Sequence, residues 1–320
     1  MSISPADGRA SAPTDVVWRA RVWVSSFRLK FLPQGVWPVV LGTVVAWIER
    51  GSFNLGFFAL ALVGSACVQI GLTMLNDSLD FIYGTDCSTT ADKNPFSGGS
   101  GVLTDGHLAP GAMLAVVTLF YLTAAAIGAY LTLRVGIGVF QMALLGLFLS
   151  VFYSVKPLRF AYRGLGELAI LLGYGPTITL GAAYVQTGRF SAVAALAGLV
   201  PGLLMVAMIL VNEMPDYLED KRANKRNLTV RLGPRRVRWL YIATLSGIYT
   251  FIVVGAVVGV FPTWSLLALG SAPFAWRSFG VVCRHYLNPR AMAPANWAMV
   301  MAYSSTMLLF CAGFALSKIL

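Results

Sequence analysis

Apolar residues run along this chain in blocks of about 17–25, the length that crosses a bilayer as a helix. Nine blocks predict helices near 31–48, 53–75, 110–133, 135–155, 165–186, 190–212, 237–261, 264–282 and 296–317. They are too long and too continuous for barrel strands, and a helix satisfies its own backbone inside each span. The pattern predicts an all-α polytopic membrane protein, with about nine transmembrane helices around a central cavity. Pro38, Pro176, Pro201 and Pro273 fall inside spans, where neighbouring helices must re-satisfy the backbone. Residues 1–30 read as a cytoplasmic tail and 31–320 as a single transmembrane domain. Nothing in the tail resembles a cleavable signal peptide.

Composition supports the pattern. The 320 residues are 57% hydrophobic and only 12% charged, against roughly a quarter in soluble domains. A net charge of +11 would suggest nucleic acid in a soluble protein, but position explains it better. Lys and Arg number five in the tail, then one, three, eight and three after helices two, four, six and eight. The opposite side holds only Arg50, Arg134, Arg189 and Lys318. That asymmetry predicts a multi-pass protein of the cell (inner or plasma) membrane, with the N-terminus cytoplasmic, the C-terminus outside and no nucleic-acid partner. The cysteines Cys67, Cys87, Cys283 and Cys311 are scattered, and His107 and His285 stand alone, so no metal or redox motif of those types is present.

The acids are one-sided too. Only Glu49 falls outside; the other twelve are cytoplasmic. Carboxylates contribute little to orientation during insertion, so their clustering asks for a functional cause. After helix two the chain reads NDSLDFIYGTD, from Asn76 to Asp86; after helix six it reads NEMPDYLEDK, from Asn212 to Lys221. Both contain N-x-x-x-D. Residues four apart share a helix face. If the helices run on, Asn76 and Asp80 form one column of oxygens, and Asn212, Asp216 and Asp220 form another. Glu213 and Glu219 lie off that face, and Pro215 reads as a local adjustment of the helix end. Two matching motifs four helices apart suggest duplication of a four-helix unit.

Carboxylate and amide oxygens suit hard divalent cations, above all Mg²⁺, whose open positions diphosphate oxygens commonly fill. Asn76, Asp80, Asp86, Asn212, Asp216 and Asp220 are the expected metal ligands. Basic residues stand nearby, and Arg159 and Lys225 are the favoured diphosphate clamps. The segment from Asn94 to Gly101 is glycine-rich, which allows close backbone approach to a ligand. No phosphate-binding G-x-x-x-x-G-K-[ST] motif occurs.

These residues resemble the UbiA superfamily of intramembrane aromatic prenyltransferases. NDSLDFIYGTD is similar to the family's first aspartate-rich motif and NEMPDYLEDKRANKRNLTVRLG to its second, and the likeness runs from Arg28 to helix nine. Within the family, YSVKPLRFAYRGLGELAILLGYGPTITLGAAYVQTG (Tyr153 to Gly188) looks most like the 1,4-dihydroxy-2-naphthoate polyprenyltransferases of menaquinone biosynthesis. Where members often have Gly-Lys after the second motif, this chain has Asn224-Lys225, and Asn tolerates a left-handed backbone. The resemblance implies transfer of a prenyl group from a polyprenyl diphosphate to an aromatic acceptor, with Mg²⁺ on Asp80, Asp86, Asp216 and Asp220. Ring attack on the allyl cation would be followed by loss of a proton, with CO₂ for a naphthoate. Asp80, Asp216, Arg159 and Lys225 become the expected catalytic residues, and the faces of Tyr153, Phe152 and Tyr83 could stabilise the cation. The alternatives are another acceptor within the superfamily (4-hydroxybenzoate, homogentisate, haem, chlorophyll or glyceryl phosphate) and, in a different class, a membrane cation transporter. Acids confined to one face argue against an ion path.

Overall fold

A computed structural model describes residues 15–85, 94, 96 and 99–320. Among them there is no strand. The helices are α1 (Val16–Ser26), α2 (Leu32–Arg50), α3 (Leu55–Ile82), α4 (Pro110–Val135), α5 (Ile137–Ser154), α6 (Phe160–Arg163) and α7 (Gly166–Leu172). They continue with α8 (Ile178–Thr187), α9 (Ala192–Ala197), α10 (Leu199–Arg222), α11 (Leu228–Leu232), α12 (Pro234–Val257), α13 (Ala272–His285) and α14 (Ala293–Ile319). Nine helical stretches among the described residues are long and apolar enough to cross a membrane, as expected. The faces of α4 and α5 that carry Leu119, Leu122, Leu133 and Phe140 are exposed, as suits contact with lipid.

Two differences from the expected elements matter for the site. Helix α3 continues to Ile82 and α10 to Arg222, well past the expected ends at 75 and 212. Hydropathy falls at the first charged residue, but the backbone ladder does not need apolar side chains to continue. The first motif is therefore helical as far as Ile82 and the second throughout, rather than loops. Residues 16–26, expected as part of a tail, form α1, capped when Asp15 Oδ1 accepts from Val17 N at 3.1 Å. Its Val22 is buried in a cluster with Met74, Leu75, Val102 and Met113, which places α1 beside the first motif.

The fifth span is broken. Between α7 and α8, residues Gly173–Thr177 form a wide π turn, with Gly175 outside helical backbone angles and Pro176 lacking an N–H. Such breaks are tolerated where protein covers them. Here α10 does so at backbone distance. A Cβ on Gly202 would lie 2.5 Å from the Leu171 carbonyl oxygen and 3.1 Å from the Gly175 Cα. A Cβ on Gly175 would lie 2.6 Å from the Gly198 carbonyl oxygen. Helix α10, which carries the second motif, thus sits against bare backbone of the fifth span.

Filling that seam overpacks it, at a cost of about 1–3 kcal/mol. Gly202→Leu is expected to lower the thermal midpoint of the detergent-purified protein. Gly247→Ala, whose Cβ meets no described atom within 4 Å, is expected to leave it unchanged or raise it slightly.

Candidate active site

Helices α3 and α10 bring both motifs onto one cavity of about 150 Å³. Asn76 and Asp80 line it from α3, and Asn212, Asp216 and Asp220 line it from α10. The period-four columns thus face a common space, as their spacing requires. Asp86 lies outside the described residues. The floor is apolar and aromatic, with Ile170, Met205, Met208, Tyr153 and Tyr174.

Asp80 is 4% exposed and surrounded by donors. Lys225 Nζ lies 2.9 Å from its Oδ2, Asn76 Nδ2 donates to the same oxygen at 2.6 Å, and Tyr162 donates to Oδ1 at 2.5 Å. Burial, with the Asp80 charge beside it, raises the Tyr162 phenol well above its ordinary range, so it remains a donor at neutral pH. Lys225 also lies 3.5 Å from Asp220 Oδ1. It reaches this point because Asn224 adopts the left-handed conformation (φ 56°), closing the turn in which Lys225 N donates to the Asp220 carbonyl at 2.8 Å.

The remaining carboxylates hold the segment after α10. Asn227 Nδ2 donates to Asp220 Oδ2 at 2.7 Å, Leu228 N to Glu167 Oε1 at 2.9 Å, and Thr229 Oγ1 to Glu213 Oε2 at 2.9 Å. Three acids from two spans therefore meet the start of α11. Glu213, expected to lie off the functional face, lines the cavity and is 8% exposed. The cavity is wider than one stripe of the helix.

Of the two expected clamps, Lys225 lines the cavity and Arg159 does not. Arg159 lines a separate surface pocket with Lys156, Arg163 and Arg226, its guanidinium 3.6 Å from the Tyr162 ring centre and 4.0 Å from that of Tyr83. The cation inside the cavity that sequence reasoning missed is Arg28. It has a left-handed backbone (φ 48°), a buried Nε with no hydrogen-bond partner and Nη2 3.4 Å from the Phe96 carbonyl. Of the expected aromatic residues, Tyr153 lines the cavity, whereas Phe152 packs tilted against Phe148 and Tyr83 meets Tyr162 edge to face.

Among the described residues, no three His, Cys, Asp or Glu side chains converge closely enough to hold a metal by themselves. The donor set nevertheless fits a hard divalent cation: four carboxylates (Asp80, Glu213, Asp216 and Asp220) and three amides (Gln69, Asn76 and Asn212) line one cavity. The Lys225 ammonium stands between Asp80 and Asp220, marking where positive charge is most favoured.

An all-helical membrane bundle with paired carboxylate columns over an apolar floor defines a class of intramembrane enzyme, and the comparisons give its family. Residues 35–300 match the UbiA prenyltransferase family. The chain belongs to that family and is a multi-pass membrane prenyltransferase. It is 32% identical to a 1,4-dihydroxy-2-naphthoate octaprenyltransferase of Mycobacterium tuberculosis over 81% of this chain and 85% of that one. It is 28% identical to the protein of the same name from Escherichia coli, over 94% and 97%. The fold matches a solved UbiA homolog from Aeropyrum pernix K1 (TM-score 0.67, 14% identity, 88% of this chain and 97% of that one). It also matches one from Archaeoglobus fulgidus bound to DMAPP and Mg²⁺ (TM-score 0.62, 13% identity, 90% and 98%).

Tyr162→Phe removes the donor to Asp80 and leaves the ring. A hydrogen bond to a charged group contributes about 1.5–3 kcal/mol. Prenyl-transfer kcat/KM is therefore expected to fall about tenfold or more, with unchanged yield and elution as a folded protein. Wild-type kinetics would show that this bond does not position Asp80.

Proposed function

We propose that the chain transfers a polyprenyl group from its allylic diphosphate to 1,4-dihydroxy-2-naphthoate, with Mg²⁺ as the metal. The observation that carries this reading is the meeting of the two carboxylate columns on one cavity, directly above an apolar path. The acceptor rests on the relatives' names, which cover most of both chains, and the metal on the donor set. The positive-inside count supports placing the motifs and the N-terminus in the cytoplasm.

Asn76, Asp80, Asp216 and Asp220 would hold the metal, which when bound supplies Lewis-acid neutralisation of a leaving diphosphate. Asn76 gives its Nδ2 to Asp80, which leaves its Oδ1 for a cation. Lys225 and Arg28 face the same space and bind the diphosphate oxygens electrostatically. As the allylic C–O bond breaks, the electron pair leaves with the diphosphate. The tyrosine faces of Tyr153 and Tyr174 stabilise the cation, and the apolar walls keep water from it. The ring carbon bearing the carboxylate attacks, and CO₂ departs to restore aromaticity.

The path for the chain begins at Gln69, Tyr153 and Tyr174, which the acidic cavity shares with an apolar cavity of about 60 Å³. This second cavity shares Ser65, Val68, Gly146 and Ile178 with a third, of about 300 Å³, between α3, α4, α5 and α8. This run of apolar cavities is where the isoprenoid would lie, with its diphosphate held at the motifs.

Purified protein is expected to prenylate 1,4-dihydroxy-2-naphthoate with Mg²⁺ when offered a panel of acceptors and labelled prenyl diphosphates. Turnover with 4-hydroxybenzoate or homogentisate instead would refute the acceptor assignment. Asp80→Asn and Asp216→Asn should lower turnover about a hundredfold or more with normal expression; full activity in either would sink the site assignment. Gly146→Phe narrows the path, so long donors should be lost and dimethylallyl diphosphate retained. Equal loss of both would place the chain elsewhere.

A further inference from the structure

A buried chain of three amides joins the last span to the second motif. Asn296 on α14 is fully buried. Its Nδ2 donates to the Asn212 Oδ1 at 2.7 Å and to the Val211 carbonyl at 3.1 Å. Its Oδ1 accepts from Asn94 Nδ2 at 3.0 Å. Asn94, 2% exposed, also donates to the Pro289 carbonyl at 3.0 Å and accepts from Phe96 N at 3.0 Å.

An amide side chain can in principle be placed either way round. Backbone groups remove that freedom here. The Val211 and Pro289 carbonyls accept only, so Asn296 and Asn94 must turn their Nδ2 towards them. The Phe96 N–H donates only, so it requires Asn94 Oδ1. With both neighbours fixed, Asn212 must present Oδ1 to α14. Its Nδ2 makes no hydrogen bond among the described residues and is not a sealed, unpartnered atom, and Asn212 lines the cavity. The N–H₂ end is thus the part of the side chain open to a ligand. Asn76 has the opposite polarity, with its nitrogen on Asp80 and its oxygen free.

We infer that Asn212 acts as a hydrogen-bond donor to an anionic substrate oxygen rather than as a metal ligand, and that Asn296 is the positioning residue that sets this polarity. The inference rests on the prenyl-transfer reading above. The oxygen belongs to the donor diphosphate or to the carboxylate of the aromatic acceptor; both offer acceptor lone pairs only.

The test measures KM for each substrate, kcat and thermal midpoint in Asn296→Asp, Asn296→Leu and Asn212→Ala, with Mn²⁺ titration by electron paramagnetic resonance as a readout independent of turnover. Asn296→Asp keeps the shape and removes the donor, so Asn212 turns round; Asn296→Leu releases Asn212 without reversing it. One substrate's KM should rise about tenfold in Asn296→Asp and Asn212→Ala, and less in Asn296→Leu, with kcat within about threefold. A rise confined to the prenyl diphosphate assigns the diphosphate, and one confined to the acceptor assigns its carboxylate. Mn²⁺ affinity should be unchanged in Asn212→Ala. Wild-type KM values in Asn296→Asp, or weaker Mn²⁺ binding in Asn212→Ala, would overturn the inference. So would parallel losses of kcat and thermal midpoint in all three variants with KM unchanged. If the wild type uses a different acceptor, the same comparison runs with that acceptor, so the two readings fail separately.

Discussion

Carboxylates buried at the end of apolar helices must be compensated, and in this bundle the Lys225 ammonium between Asp80 and Asp220 provides much of that compensation. An isolated charge in a low-dielectric setting is strongly disfavoured, and removing one partner of a buried pair leaves the other uncompensated. Lys225 therefore fixes more than its own position. It ties the end of α3 to the end of α10, and it depends on the left-handed turn at Asn224 that returns the chain towards Asp220. Tyr162 and Asn227 supply neutral donors for the remaining carboxylate oxygens, and Asn76 adds a second donor to the Asp80 oxygen that Lys225 holds. The site is held open between two helices because its charges are balanced across them.

Much of this was legible in the sequence where the signal is local. A run of apolar residues reports a span directly, and N-x-x-x-D reports a column once the segment is helical. Asn224 could be read as a left-handed position because its tolerance for that backbone is its own property. Hydropathy gave the span ends too early, since it measures side chains while α3 and α10 are continued by backbone hydrogen bonds.

What stayed hidden depends on tertiary packing. Arg28 was one of the many orienting cations, and only the arrangement of α1 and α2 turns it into the cavity. Arg159 looked like a clamp because it is basic and falls on the same predicted side of the membrane as the motifs, yet its guanidinium lies against the rings of Tyr83 and Tyr162 in a separate surface pocket. Glu213 looked peripheral from a helical wheel, which does not record how wide the cavity is. Asn296 carried no signal: a single polar residue inside a long apolar span has no pattern around it, and its role exists only because α14 lies against α10.

The bare-backbone seam at Gly175, Gly198 and Gly202 has a consequence for how such a protein can diversify. Where helices meet through side chains, each replacement shifts their separation, and anything mounted on them moves too. Here the separation between α10 and the fifth span is set by main-chain atoms that do not vary from residue to residue. The acidic motif rides on a fixed rail, while the pocket around it can be re-cut for another ring or another chain length without disturbing its register. A single bundle can thereby serve many acceptors with the same ionising machinery.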